Sequence, residues 1–119
     1  MRGGSVRGGT IRLRALCLSL VAMPGLVLAQ ADLAATAYKE VCAVCHGDKG
    51  QGNPEKGPPV KGSPFLKSAS HDELQSLIKF GRTGKDKRFP AIKEGMPGQA
   101  LSEAEMAAII PYVQVELQK

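Results

Sequence analysis

Two cysteines three positions apart with a histidine directly after them, Cys42-Ala43-Val44-Cys45-His46, constrain this chain more than any other feature. The thiols are too close together to close a useful loop, so they cannot staple the fold as a long-range disulfide would. Yet the chain needs a staple. Residues 32–119 hold Tyr38, Tyr112, Phe65, Phe80 and Phe89 as their aromatics and contain no Trp. Domains of this size seldom build an adequate core without a disulfide, a metal or another insert. The missing apolar bulk must come from outside the chain.

Residues 1–31 are set apart from this count because they read as a cleavable export signal. Arg2, Arg7, Arg12 and Arg14 stand without an acidic residue, and Ala15–Ala29 is then apolar apart from Ser19, Pro24 and Gly25. That is the basic and apolar order of a secretory leader, too short for a comfortable span of about 20 apolar residues. Ala29-Gln30-Ala31 offers the small-residue cleavage site, with cleavage expected after Ala31 and, as the alternative, after Ala29. No twin-Arg pair is present, and Leu16 before Cys17 is too large for a lipoprotein box. The mature domain is therefore expected to be 32–119, soluble in the periplasm with no stable membrane insertion. Sixteen Lys and Arg against eleven Asp and Glu give the whole chain +5. Removing the four leader arginines leaves twelve against eleven, or +1, so the high pI is a targeting feature and no nucleic-acid partner is expected.

Three stretches of the mature part read as helix. Leu33–Val44 is rich in Ala, Leu, Lys and Glu, places Ala34, Tyr38 and Val41/Cys42 on one face, and ends at Gly47. Ser70-His71-Asp72-Glu73 has capping-box spacing ahead of Leu74, Leu77 and Ile78, predicting a helix from His71 to about Phe80 with Gly81 as its stop. Ser102-Glu103-Ala104-Glu105 repeats the box, and Met106, Ile109/Ile110, Val113 and Leu117 continue as an apolar stripe. Pro111 inside that stripe predicts a kink or a short first segment. Residues 47–64 and 81–98 are punctuated by Gly and Pro without a convincing strand. Unstructured loops that long call for something to wrap around.

A porphyrin answers both needs. Two thiols at this spacing at a helix end can each add to a vinyl group on adjacent edges of one ring, and the adjoining histidine then lies under the iron, the pattern of c-type haem attachment. A zinc half-site would need a second Cys/His pair, and only His71 remains. A dithiol redox pair would need a strand before it in a βαβ setting. For the second axial position Met96 is favoured: an unbranched apolar residue within Gly95-Met96-Pro97-Gly98 has little to pack on without a cofactor. Met106 sits on the stripe as core filler, and His71, the rival ligand, reads as an exposed first-turn residue.

These residues resemble a class I, mono-haem cytochrome c: Tyr38-x-x-x-Cys42-x-x-Cys45-His46-Gly47 near the start and Met96-Pro97 some fifty residues on, across essentially all of 32–119. The resemblance implies a small all-α fold of three to four helices wrapped around one covalently attached haem c. It implies that the first and last helices cross beside the haem, with Ala34 at the crossing and Tyr38 and Tyr112 at its aromatic positions. Ala34 stands for the more usual glycine, so a slightly wider crossing is expected. Gly57-Pro58-Pro59-Val60-Lys61-Gly62 is similar to the family segment after the haem motif, which makes Pro58, through its carbonyl, the expected partner of the second nitrogen of His46.

A haem with His46 and Met96 as ligands is coordinatively saturated, so the expected role is one-electron transfer and not catalysis. The expected partners are a donor dehydrogenase or quinol-oxidising complex and an acceptor oxidase or reductase. A dedicated haem subunit of a periplasmic oxidoreductase complex is the alternative, and a haem enzyme with an open distal site survives only if Met96 is not a ligand. Between Lys79 and Lys93, Lys79, Arg82, Lys85, Lys87, Arg88 and Lys93 oppose Asp86 alone, whereas Glu94, Glu103, Glu105 and Glu116 follow with no basic residue up to 118. A basic collar beside Met96 would steer an acidic partner.

Overall fold

The computed structural model describes Gly4 and residues 24–119. The rest of the leader, including its basic segment and most of its apolar run, lies outside the described residues. Helix α1, Pro24–Ala37, passes without a break into a π-turn, Tyr38–Cys42, and a last turn α2, Ala43–His46. The expected helix therefore begins nine residues earlier, because residues 26–32 contain no helix breaker. Among the described residues those added turns pack on nothing: Leu26, Val27 and Leu28 are each about two-thirds exposed, and burial starts at Ala34, which is 2% exposed. In the π-turn the Ala43 N–H bonds to the Tyr38 carbonyl, one residue further back than an α-helix allows. One extra residue rotates the downstream side chains by about 100°. Tyr38, Val41 and Cys42 nevertheless line one cavity, as their expected shared face requires, with Ala34 buried a turn earlier.

α3, Pro64–Ser68, is a short helix that the apolar periodicity does not announce. Its signal is the N-cap Ser63 followed by Pro64 in the first turn, with Ser63 Oγ accepting from the Leu66 N–H. α4, His71–Phe80, has the expected complete capping box between Ser70 and Glu73 and ends at Gly81. β1, Gly81–Arg82, pairs antiparallel with β2, Met96–Pro97, in the register Gly81 to Pro97 and Arg82 to Met96. A 3₁₀ turn, Gly84–Asp86, lies in the loop between them. α5, Glu103–Gln114, carries the second capping box, Ser102 with Glu105, and is followed by a 3₁₀ turn, Glu116–Gln118.

Pro111 does not shorten α5, and helical hydrogen bonding resumes beyond it, where the Val115 N–H reaches the Pro111 carbonyl at 3.0 Å. Pro111 and Ala107 are both exposed. Water can therefore take the place of the N–H that Pro111 lacks.

α1 packs on α5, and α4 and α3 pack on α5 from other sides. The inaccessible centre is Tyr38, Leu74, Ile109 and Ile110, joined by Met106, Val113 and Leu117 from the expected stripe. The Tyr38 and Tyr112 rings stand 5.7 Å apart at 49°, joining the start of the π-turn to α5. Two glutamines fasten the loops to this core. Gln114 Nε2 donates to the carbonyls of Leu66 and Ala69, both at 3.0 Å. Gln118 Nε2 donates to the Val60 and Val113 carbonyls, and Gln118 Oε1 accepts from the Gly62 N–H at 2.7 Å.

Candidate functional site

The π-turn and α2 deliver Cys42, Cys45 and His46 to the wall of one cavity of about 270 Å³. Both thiols are free and partly buried. Before any haem is attached, burial, and then the neighbouring Cys45, push the Cys42 thiol up to about 11. The chain turns away from the motif at Gly47, whose carbonyl accepts a 2.9 Å hydrogen bond from the Tyr38 hydroxyl. Burial holds that phenol well above the usual tyrosine range, with Cys42 adding to the effect.

Residues 47–63 form a loop closed on itself by backbone bonds. The Gly52 N–H reaches the His46 carbonyl at 2.7 Å, and the N–H groups of Val60 and Lys61 both reach the Gly50 carbonyl at 2.8 Å. This brings the Pro58 carbonyl to His46, whose Nδ1–H donates to it at 2.8 Å. Nδ1 being committed, Nε2 is the nitrogen left with a lone pair for a metal. Gly57 is what permits the approach: a Cβ there would stand 2.8 Å from the Cys45 carbonyl oxygen and 3.2 Å from His46 Nδ1.

Met96 lines the same cavity, held by the β1–β2 pairing opposite Arg82. Met106 is 7% exposed and sits in the α5 core, outside the cavity lining. His71 is also outside it, exposed on the first turn of α4 with Nδ1 3.8 Å from Asp72 Oδ1. The structure thus brings Cys42, Cys45, His46, Pro58 and Met96 together and leaves His71 apart. The remaining wall is largely apolar, with Val60, Leu74, Ile78, Ile92 and Phe89 among its residues. Among the described residues no group of three or more His, Cys, Asp or Glu converges as a metal centre would require.

Several groups here are invisible to sequence reasoning. The Arg82 and Arg88 guanidinium carbons lie 5.0 and 5.2 Å from the Phe65 ring centroid, and both residues line the cavity. Burial first, and then Arg88, lower the Arg82 pKa from its ordinary value. Lys87 Nζ donates to the Ile92 and Lys93 carbonyls at 2.8 and 3.0 Å. With Lys79 Nζ 5.5 Å from the Phe80 ring centroid, four of the six basic residues are tied to local structure. Lys85 and Lys93 remain exposed, with no ion pair among the described residues.

A cavity with two thiols, a histidine of fixed tautomer, a thioether and apolar walls fits a covalently attached porphyrin. Comparison with known families agrees. Residues 31–115 match the family Cytochrome c. A comparison with curated proteins returns no match.

Proposed function

The chain belongs to the cytochrome c family, and from that premise we propose that it is an exported, periplasmic one-electron carrier whose haem iron takes His46 and Met96 as axial ligands. The family's small all-α fold, its covalently attached haem c and its role of passing electrons between redox partner proteins come with membership. The observation that supports the finer reading is one cavity lined by both thiols, by His46 with Nδ1 engaged, and by Met96. Bound there, the haem supplies a one-electron iron couple. Cys42 and Cys45 would tether it, the Pro58 carbonyl fixes the His46 ring, and the Met96 thioether would occupy the position at which a substrate could otherwise bind. Val60, Leu74, Ile78 and Ile92, which line the cavity, would keep water from the iron.

Export completes the proposal. Among the described residues cleavage after Ala31, or after Ala29, would remove none that is packed, since residues 25–32 are all exposed. Among the described residues no helix is long and apolar enough to cross a membrane. Acidic donor and acceptor proteins would meet the side carrying Phe89, Lys85 and Lys93, all exposed on the loop that leads into Met96.

The test is spectroscopic. The purified holoprotein should keep its haem through acid extraction. Its ferric form should show the weak charge-transfer band at the red edge of the visible spectrum that reports sulfur ligation. Met96→Ala should abolish that band and His71→Ala should not; the reverse pattern would refute the ligand assignment. N-terminal sequencing of the exported protein should begin at Asp32 or Gln30.

A further inference from the structure

Residues 83–95, the loop between β1 and β2, contain only the 3₁₀ turn and lead directly into Met96. Most of this loop is exposed, so little packing holds it down. Among the described residues one side chain of the loop hydrogen-bonds back onto its backbone. Lys87 Nζ donates to the carbonyls of Ile92 at 2.8 Å and Lys93 at 3.0 Å, closing the second half of the loop into a ring. Its stem runs beside Gly95, where a Cβ would stand 3.0 Å from Lys87 Cγ and 3.1 Å from Cδ. Gly95 has φ +71°, so only glycine gives both the backbone turn and room for the stem. Lys87 and Met96 line the same cavity.

A surface lysine is ordinarily a solvated, mobile charge, and fixing its four-carbon stem costs rotamer entropy. Two carbonyl partners on residues three and four places before Met96 give that cost a structural return. We propose that Lys87 is a positioning residue for the axial ligand: its ammonium latches the loop so that the Met96 thioether stays in the cavity and outcompetes external ligands for the iron. This rests on the reading of Met96 as a ligand. Each hydrogen bond from a charged donor to a partly exposed carbonyl contributes modestly, and two together correspond to about a tenfold shift in the balance between closed and open loop.

The experiment uses the ferric holoprotein titrated with imidazole, which binds the iron only when Met96 has left it. Lys87→Gln is expected to bind imidazole about tenfold more tightly than wild type. Lys87→Arg, which keeps forked donors, should fall between the two. Lys85→Gln, an exposed neighbour without such contacts, should match wild type. Wild-type imidazole affinity in Lys87→Gln would overturn the proposal, as would an equal rise in Lys85→Gln, which would trace the effect to charge alone. A gain in affinity matched by an equal loss of global stability in guanidinium would also overturn it, because the latch is local to the loop. Absence of the sulfur band in the wild type would show that the ligand reading of Met96 had failed. A normal band with unchanged affinity would show that Lys87 alone had been misassigned.

Discussion

Replacing Gly57 by alanine should damage the site through a single methyl group. Gly57 does not have a positive φ, so an alanine there carries no left-handed strain and the effect is purely one of contact. The new Cβ would lie 2.8 Å from the Cys45 carbonyl oxygen, and ordinary contact begins at 3.4 Å, so the two segments must part by about 0.6 Å. The same movement would stretch the 2.8 Å bond from His46 Nδ1 to the Pro58 carbonyl to about 3.4 Å. That is outside the 2.7–3.2 Å range of a sound N–H···O bond. Loss of that bond together with overpacking should cost about 2 kcal/mol. In a domain of this size that is a fall of about 10 °C in Tm. The histidine, no longer donating to a carbonyl, becomes a weaker electron donor to iron, so the ferric state is less favoured and the midpoint potential should rise. Thermal unfolding followed in the haem absorbance, with potentiometry on the same samples, measures both. Gly62→Ala is the control, having open space around it but φ +80°. It should lose roughly 1–2 kcal/mol of stability through its backbone and leave the potential alone. If Gly57→Ala kept both stability and potential, the account of how Pro58 holds His46 would be wrong.

Tyr38→Phe keeps the buried ring and deletes the hydroxyl bonded to the Gly47 carbonyl, so it should cost about 1 kcal/mol, read as a lower guanidinium midpoint; an unchanged midpoint would deny the bond any role. The carboxylates of Glu73 and Glu105 are held below their ordinary value of 4.5 by backbone and then side-chain bonds to Ser70 and Ser102. Their contribution to stability is thus present above that value and lost as pH falls through the lowered folded-state pKa. A Glu73→Gln/Glu105→Gln variant should show a shallower loss of guanidinium midpoint across the acid range than wild type, and equal slopes would contradict it. Lys85→Glu/Lys93→Glu should slow electron transfer to the native partner at low salt and converge with wild type as salt rises, because exposed charges are screened beyond about 8 Å at physiological ionic strength. A rate indifferent to both changes would leave these lysines as solvated surface.

What the sequence makes legible is what local rules write. Both capping boxes, the Gly81 stop and the Met106–Leu117 stripe follow from spacing within a few residues, and the structure has them. The less legible parts depend on distance or on backbone. The π-turn changes helical register with no residue type to mark it. The β1–β2 ladder is two residues long, too short for an alternating pattern, yet it sets Met96 opposite Arg82. Gln114 and Gln118 reach carbonyls more than forty residues away, and nothing in their neighbours predicts that. Lys87 reads as one more charge in a basic run until its two carbonyl partners are seen.

The packing of α1 on α5 also sets an order of events in time. Helix α1, which runs on into the haem-binding motif, is separated from α5 by residues 38–102, more than half of the chain, so their contact is among the most non-local the fold contains. Such contacts must wait for the intervening chain to be closed into a loop. A chain emerging amino terminus first cannot assemble its core until Ile109 and Ile110 have appeared. Until then the two thiols remain on a strand of polypeptide that is not yet a protein, open to chemistry that the finished fold would obstruct.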